Sequence, residues 1–366
     1  MKPIIKTPHP TYESLSSKLI EKEVAKERLG IKTEKVIGFI GLVRKYKGVD
    51  NLIKAMNYLS DDTSLLIVGE VWKECKEIIK LSEKKNIILI DKYVEEFGPY
   101  LSAMDVVILP YYTSTGSGIL QLCWGAGKPV LASKNGSFLD WIEDGKNGLL
   151  FDPLSPKDIA NKIKLFYENR FEKKFLKEIK LKSTEFGWSK IVDSIVRLND
   201  LKKGSRIVVI SEAHRGGVAH YNHLLYNELK KKFNVEHISF SRVYPKTLYK
   251  LFFVKTLEDD SFKESKRIID CLNPLTWGKA AKEIIRYNPD VIVLNWSVYL
   301  LAPIYLRLIK SVRKKLKKVK ITLLCHNVLP HKKSKLAERL GEKIFSKVDS
   351  FIVQSSKDEE DLKKFL

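Results

Sequence analysis

Short apolar runs recur along this chain, and most are followed by ten or so residues of helical pattern. Residues 36–40, 64–68, 87–90, 106–109 and 129–132 read as buried strands, and residues 49–59, 74–84 and 94–103 as helices between them. Parallel strands need a crossover of about a dozen residues or more between them, usually a helix. The pattern therefore predicts an α/β chain with doubly wound parallel sheets. A short strand at residues 4–6, a helix at 17–29, a helix near 138–142 and a helical tail over 156–198 complete the first half.

The alternation then restarts. Residues 206–210 form an apolar run, a glycine-ended loop covers 212–217, a helix covers 218–232, and further strands are expected at 235–240, 291–294, 321–324 and 351–353. Two Rossmann-like domains are expected, residues 1–203 and residues 206–366, joined by Gly204-Ser205. At 366 residues the chain can bury two full cores.

Charge narrows the partners. The formal net charge is +22, and residues 206–366 hold 32 Lys and Arg against 17 Asp and Glu, or +15, leaving +7 for the rest. Seven cations fall within residues 310–320, with three more at Lys332, Lys333 and Lys335. Residues 244–257 interleave apolar side chains with Lys246, Lys250 and Lys255, which suits approach to an anionic membrane surface. Cys75, Cys123, Cys271 and Cys325 are scattered, without metal-binding spacing, so a reducing, cytoplasmic setting is expected, peripheral to the inner face of the membrane. The first residues are too charged for a signal peptide. Residues 291–309 are mostly apolar, but Asn295, Pro303 and Arg307 make them a strand, turn and helix better than a membrane span.

Three loops stand where such sheets bind ligands, beyond the carboxyl ends of strands. Arg44 and Lys47 precede Gly48 and a helix start, a spacing suited to neutralising a diphosphate. Thr115-Gly116-Ser117-Gly118-Ile119 leads from a strand into a helix, whose open N–H groups and positive dipole end suit a phosphate. Arg215-Gly216-Gly217 heads the first helix of the second half. Gly125-Ala126-Gly127-Lys128 is no P-loop, because Leu122 and Pro129 occupy its glycine and hydroxyl positions.

Residues 41–48, Gly69, residues 105–110, residues 116–130 and Phe186-Gly187-Trp188 resemble the C-terminal, donor-binding domain of glycosyltransferase family 4. Residues 206–366 resemble that family's N-terminal acceptor domain, including Gly216-Gly217 and His326-Asn327. The resemblance implies the GT-B fold, two Rossmann-like domains facing across a cleft, but in reversed order. The chain's last residues would run naturally into Lys2-Pro3-Ile4-Ile5, as in a circular permutation, and Gly204-Ser205 has the look of an inserted linker. A domain-swapped dimer is the other arrangement that so short a junction allows. The family's two glutamates would fall on Ser114 and Leu122, which leaves Gln121 as the substitute grip on the ribose.

The resemblance implies a retaining hexosyltransferase that moves sugar from a UDP- or GDP-sugar to a glycan or lipid-linked acceptor, with no cofactor or metal. Arg44 and Lys47 would stabilise the leaving diphosphate. Thr115, Gly116, Ser117, Gly118 and Ile119 would hold it from the other side. Tyr93 and Val94 would meet the base, His326 the transferred sugar, and Gly216 and Gly217 would line the donor site. A catalytically silent scaffold of the same fold is the alternative, as is a basic nucleic-acid binder; no nucleic-acid recognition motif accompanies the charge.

Overall fold

The computed structural model describes residues 2–12, 19–83, 86–94, 96–114, 116–213, 217–243, 262, 264–329 and 334–366. Its strands in chain order are β1 (Ile4–Lys6), β2 (Lys35–Ile40), β3 (Thr63–Val68), β4 (Ile87–Ile90), β5 (Val106–Leu109), β6 (Val130–Ser133) and β7 (Leu149–Phe151). There follow β8 (Arg206–Ile210), β9 (Asn234–Arg242), β10 (Lys266–Asp270), β11 (Val291–Trp296), β12 (Lys320–Cys325) and β13 (Ser350–Val353). They make two parallel sheets in two compact units, His9–Gly187 and Met1–Pro8 with Trp188–Leu366.

In the His9–Gly187 unit the sheet order is β4-β3-β2-β5-β6-β7. Every residue of β3, β5 and β6 is buried, as expected of strands covered on both faces. The helix Pro156–Glu168 turns Ile159, Ala160, Ile163 and Phe166 inward at helical spacing. Ser155 caps it, its Oγ accepting from Asp158 N at 3.1 Å, and Pro156 occupies the first turn, where no N–H is needed.

The other unit orders its strands β1-β13-β12-β11-β8-β9-β10. Here the compact units depart from the division at 203–206. Ile4, Ile5 and Lys6 pair with Phe351, Ile352 and Val353, so the start of the chain forms an edge strand of the second half's sheet. The helix Trp188–Asn199 also belongs to this unit: it buries Ile191, Val192 and Ile195, and Asn199 Nδ2 donates to Thr322 Oγ1 of β12 at 2.8 Å. Local pattern identifies a strand or a helix, whereas the sheet it joins is decided by which apolar face meets it.

Other differences are local. The helix expected at 94–103 is confined to Gly98–Ala103, with Pro99 in its first turn. That expected at 74–84 divides into a 3₁₀ turn, Lys73–Cys75, and a helix, Glu77–Leu81. Of the helix expected at 17–29, Lys22–Arg28 is helical, while residues 19–21 are not. Strands β7 and β10 have no counterpart in the pattern, because one is three residues long and the other is Lys-Arg-Ile-Ile-Asp. Residues 291–309 form β11, a 3₁₀ turn and the start of the helix Ala302–Arg313, and among the described residues no helix is long and apolar enough to cross a membrane.

Candidate functional site

Numbered within the His9–Gly187 unit, the strand order reads 3-2-1-4-5-6, which reverses direction between β2 and β5. The crevice beyond the carboxyl ends of these two strands is the ligand position of such sheets. The loops carrying Arg44, Lys47 and residues 116–119 leave from those ends. They are fastened together: Tyr112 N donates to Tyr46 O at 2.7 Å, and Tyr112 Oη to Asp50 Oδ1 at 2.8 Å. Gly48 makes the close approach. Its φ is +61°, and a Cβ there would stand 2.1 Å from Pro110 O.

Within this crevice Lys47 is 8% exposed. A Cβ on Gly41 would lie 3.0 Å from Lys47 Nζ and 3.4 Å from Ile119 Cδ1, so the end of β2, the first loop and the helix start converge. Aromatic faces surround the ammonium, with the Tyr111 centroid at 5.1 Å and Phe39 at 5.9 Å. Burial, followed by repulsion from Arg44, pushes its pKa down to about 8. No carboxylate of the described residues offsets that cost. Arg44 is less enclosed: its guanidinium stacks 3.7 Å from the Trp72 ring centroid, and its Nε makes no hydrogen bond, with Glu74 Oε1 3.6 Å away.

The helix Gly118–Gly125 opens onto the same crevice. Ser117 is its N-cap, and its Oγ accepts from Leu120 N at 3.2 Å. The hydroxyl oxygen accepts one helix N–H and keeps its own O–H as a donor, beside the N–H groups of Gly118 and Ile119 at the helix's open end. Gly116 is exposed, and Thr115 lies outside the described residues. Ser114 Oγ is buried 2.7 Å from Ser137 Oγ, a structural contact. Gln121 is 1% exposed, and its Oε1 is buried without a hydrogen bond.

Not every expected residue gathers here. Tyr93 and Val94 follow edge strand β4, two strands from β2. Gly217, which begins the helix Gly217–Lys230, and His326, at the end of β12, belong to the other unit, while Gly216 lies outside the described residues. His326 N donates to Trp296 O at 3.0 Å, and its ring meets Tyr221 edge-on at 4.6 Å. In that unit the order reverses between β8 and β11, where Glu212 accepts from Ser297 Oγ at 2.8 Å and burial raises its carboxyl pKa. The expected membrane segment at 244–257, with Lys332 and Lys333, is also outside the described residues.

Sequence reasoning missed Trp72, Glu74, His9 and Tyr12. The first two flank Arg44 from beyond β3, the strand beside β2, and a tryptophan just past a strand end was the available signal. Tyr12 Cε2 would lie 3.5 Å from a Cβ on Gly118, and its Oη is 3.1 Å from His9 Nε2. Nothing in His-Pro-Thr-Tyr announced that contact. Among the described residues no group of three or more His, Cys, Asp or Glu could hold a metal ion.

Residues 21–182 match the model of the family Glycosyl transferases group 1. An uncharacterized glycosyltransferase of Methanocaldococcus jannaschii is 29% identical over 157 residues, covering 42% of this chain and 44% of that protein. A D-inositol 3-phosphate glycosyltransferase of Corynebacterium jeikeium is 29% identical over 154 residues, 38% of this chain and 37% of its own. Among solved structures, the C-terminal domain of a glycosyl transferase group 1 family protein from Francisella tularensis aligns with 22% identity and a TM-score of 0.43, covering 48% of this chain and 97% of that one. The chain spans less than half the length of these two curated relatives. The similarity to the group 1 glycosyltransferases therefore covers residues 21–182, 162 of the 366 residues.

Proposed function

We propose that the chain is a retaining, metal-independent glycosyltransferase that takes its sugar from a UDP- or GDP-sugar. One observation carries the reading: Lys47 is desolvated, unpaired with any carboxylate of the described residues, and set beside the open end of the Gly118–Gly125 helix at the β2/β5 reversal. A diphosphate there would restore the ammonium's lost solvation. Arg44, whose Nε makes no hydrogen bond and stands 3.6 Å from Glu74 Oε1, would add a second cation, and the helix end would add N–H donors. Bond breaking at the anomeric carbon moves negative charge onto the diphosphate, which these fixed groups would stabilise. Two cations would then do the work of a divalent metal.

The acceptor is proposed to be a glycan or lipid-linked molecule at an anionic membrane surface, which the basic second half would favour. His326 is proposed to hydrogen-bond the transferred sugar. A circularly permuted GT-B chain of glycosyltransferase family 4 type is supported by the edge position of β1 next to β13. The absence of carboxylates at Ser114 and Leu122 favours a second reading, a donor-binding scaffold without turnover. A thermal-shift series with UDP-, GDP- and ADP-sugars tests the donor site. One nucleotide class should stabilise the protein, and Arg44→Ala should remove the effect. Stabilisation by none of them sinks the donor site, and stabilisation without transfer in a lipid extract selects the scaffold.

A further inference from the structure

A second cationic feature lies in the Trp188–Leu366 unit, at the opposite end of its sheet from His326. A groove of about 550 Å³ runs past the amino ends of β12, β13 and β1, with Leu198 and Val319 among its apolar lining. That volume is within the range of small-molecule sites. Arg313, Lys317, Lys318 and Lys320 line it against one acid, Asp349. It lies about 17 Å along β12 from the strand's carboxyl end.

The ion pairing is incomplete in an informative way. Arg313 is held by both oxygens of Asp349, at 2.8 and 2.7 Å, and Lys320 by Asp200 at 2.8 Å. Lys317 and Lys318 are exposed, and no carboxylate of the described residues pairs with them. Lys310, Lys314 and Lys315, on the adjoining helix end, add charge of the same sign. The negative end of the helix Ala302–Arg313 accounts for cations in its last turn, but not for Lys317 and Lys318 beyond it. The fixed ion pairs orient Arg313 and Lys320, while the two unpaired lysines leave the groove with a net positive field.

We infer that this groove binds a ligand bearing clustered phosphate groups, either a free polyphosphate or the phosphates of lipid headgroups. Such a ligand would bridge Lys317 and Lys318 and lie against the apolar floor.

The full chain is titrated with tripolyphosphate and, separately, with vesicles of phosphatidylglycerol or phosphatidylcholine. The comparison is between wild type, Lys317→Glu/Lys318→Glu, and a control of equal net charge, Lys279→Glu/Lys282→Glu, on an exposed part of the helix Pro274–Tyr287. Reversing two contacting charges should weaken binding by about tenfold or more, and the control by much less. Loss of tripolyphosphate binding in the groove variant assigns a free ligand. Loss of phosphatidylglycerol binding alone assigns the headgroup. Equal affinity in the groove variant and the control for both probes overturns the inference, as does tripolyphosphate binding that is lost only in Arg44→Ala. The donor site is read independently, since nucleotide-sugar stabilisation should survive in the groove variant.

Discussion

Replacing Lys47 by methionine should make the protein more stable and less able to bind a nucleotide sugar. The folded protein holds this ammonium at a pKa of about 8 against 10.5 in an unfolded chain. At 1.36 kcal/mol per pKa unit, keeping it charged at neutral pH costs about 3 kcal/mol. Its contact with the Tyr111 face returns about 1 kcal/mol, so methionine, of similar length, should gain about 2 kcal/mol. For a unit of this size that is roughly 4–8 °C in Tm. The sign in pH follows. Below pH 8 both states are protonated and the full cost is present. Between pH 8 and 10.5 the folded state has lost the proton and the unfolded state has not, so wild-type stability rises relative to the variant's. Donor affinity runs the other way, steady below pH 8 and falling about tenfold per unit above it, because a diphosphate favours the charged amine. Calorimetry on both proteins, with and without the donor, at pH 7 and pH 9 measures all of this. A destabilised Lys47→Met variant, or one that binds donor as the wild type does, refutes the reasoning.

Two further outcomes concern the framework. Gly48→Ala should cost more than about 3 kcal/mol, since a left-handed backbone and a 2.1 Å approach to Pro110 O cannot both be relieved locally, and urea unfolding followed at Tyr46 and Trp72 should report it. Asp358 is buried and its pKa is raised to about 6, chiefly by desolvation, while it accepts from Val328 N at 3.0 Å. The folded state therefore binds the extra proton between pH 4 and 6, and wild-type stability should fall by about 3 kcal/mol as pH rises through that window. Asp358→Asn, which keeps the carbonyl acceptor, should remove this dependence. An unchanged difference between the two proteins at pH 4 and pH 7 would count against it.

The strands that were legible are those whose residues are apolar because helices cover both faces, such as Thr63–Val68 and Val106–Leu109. Edge elements were not legible. Lys266–Asp270 is largely charged, and Ile4–Lys6 reads as a strand without saying that its partner lies near the other end of the chain. The same contrast holds at the site. Glycines and cations beyond strand ends singled out Arg44, Lys47 and Gly118, residues that the fold brings to the ends of β2 and β5. The cap formed by Ser117 and the inward side chain of Gln121 were not legible, since both depend on how the helix meets its neighbours.

By itself the sequence determined that two parallel α/β sheets form, and that two basic or glycine-rich loops follow β2 and β5. Periodicity and glycine placement are local properties, and they act before any distant contact exists. Only the tertiary structure decided that those loops meet at one strand reversal, that Tyr111 and Phe39 strip the water from Lys47, and that the first strand completes the last sheet. Desolvation depends on every segment packed around a group. The charge of Lys47 was written in the chain, but its altered pKa arises only once the fold has closed around it.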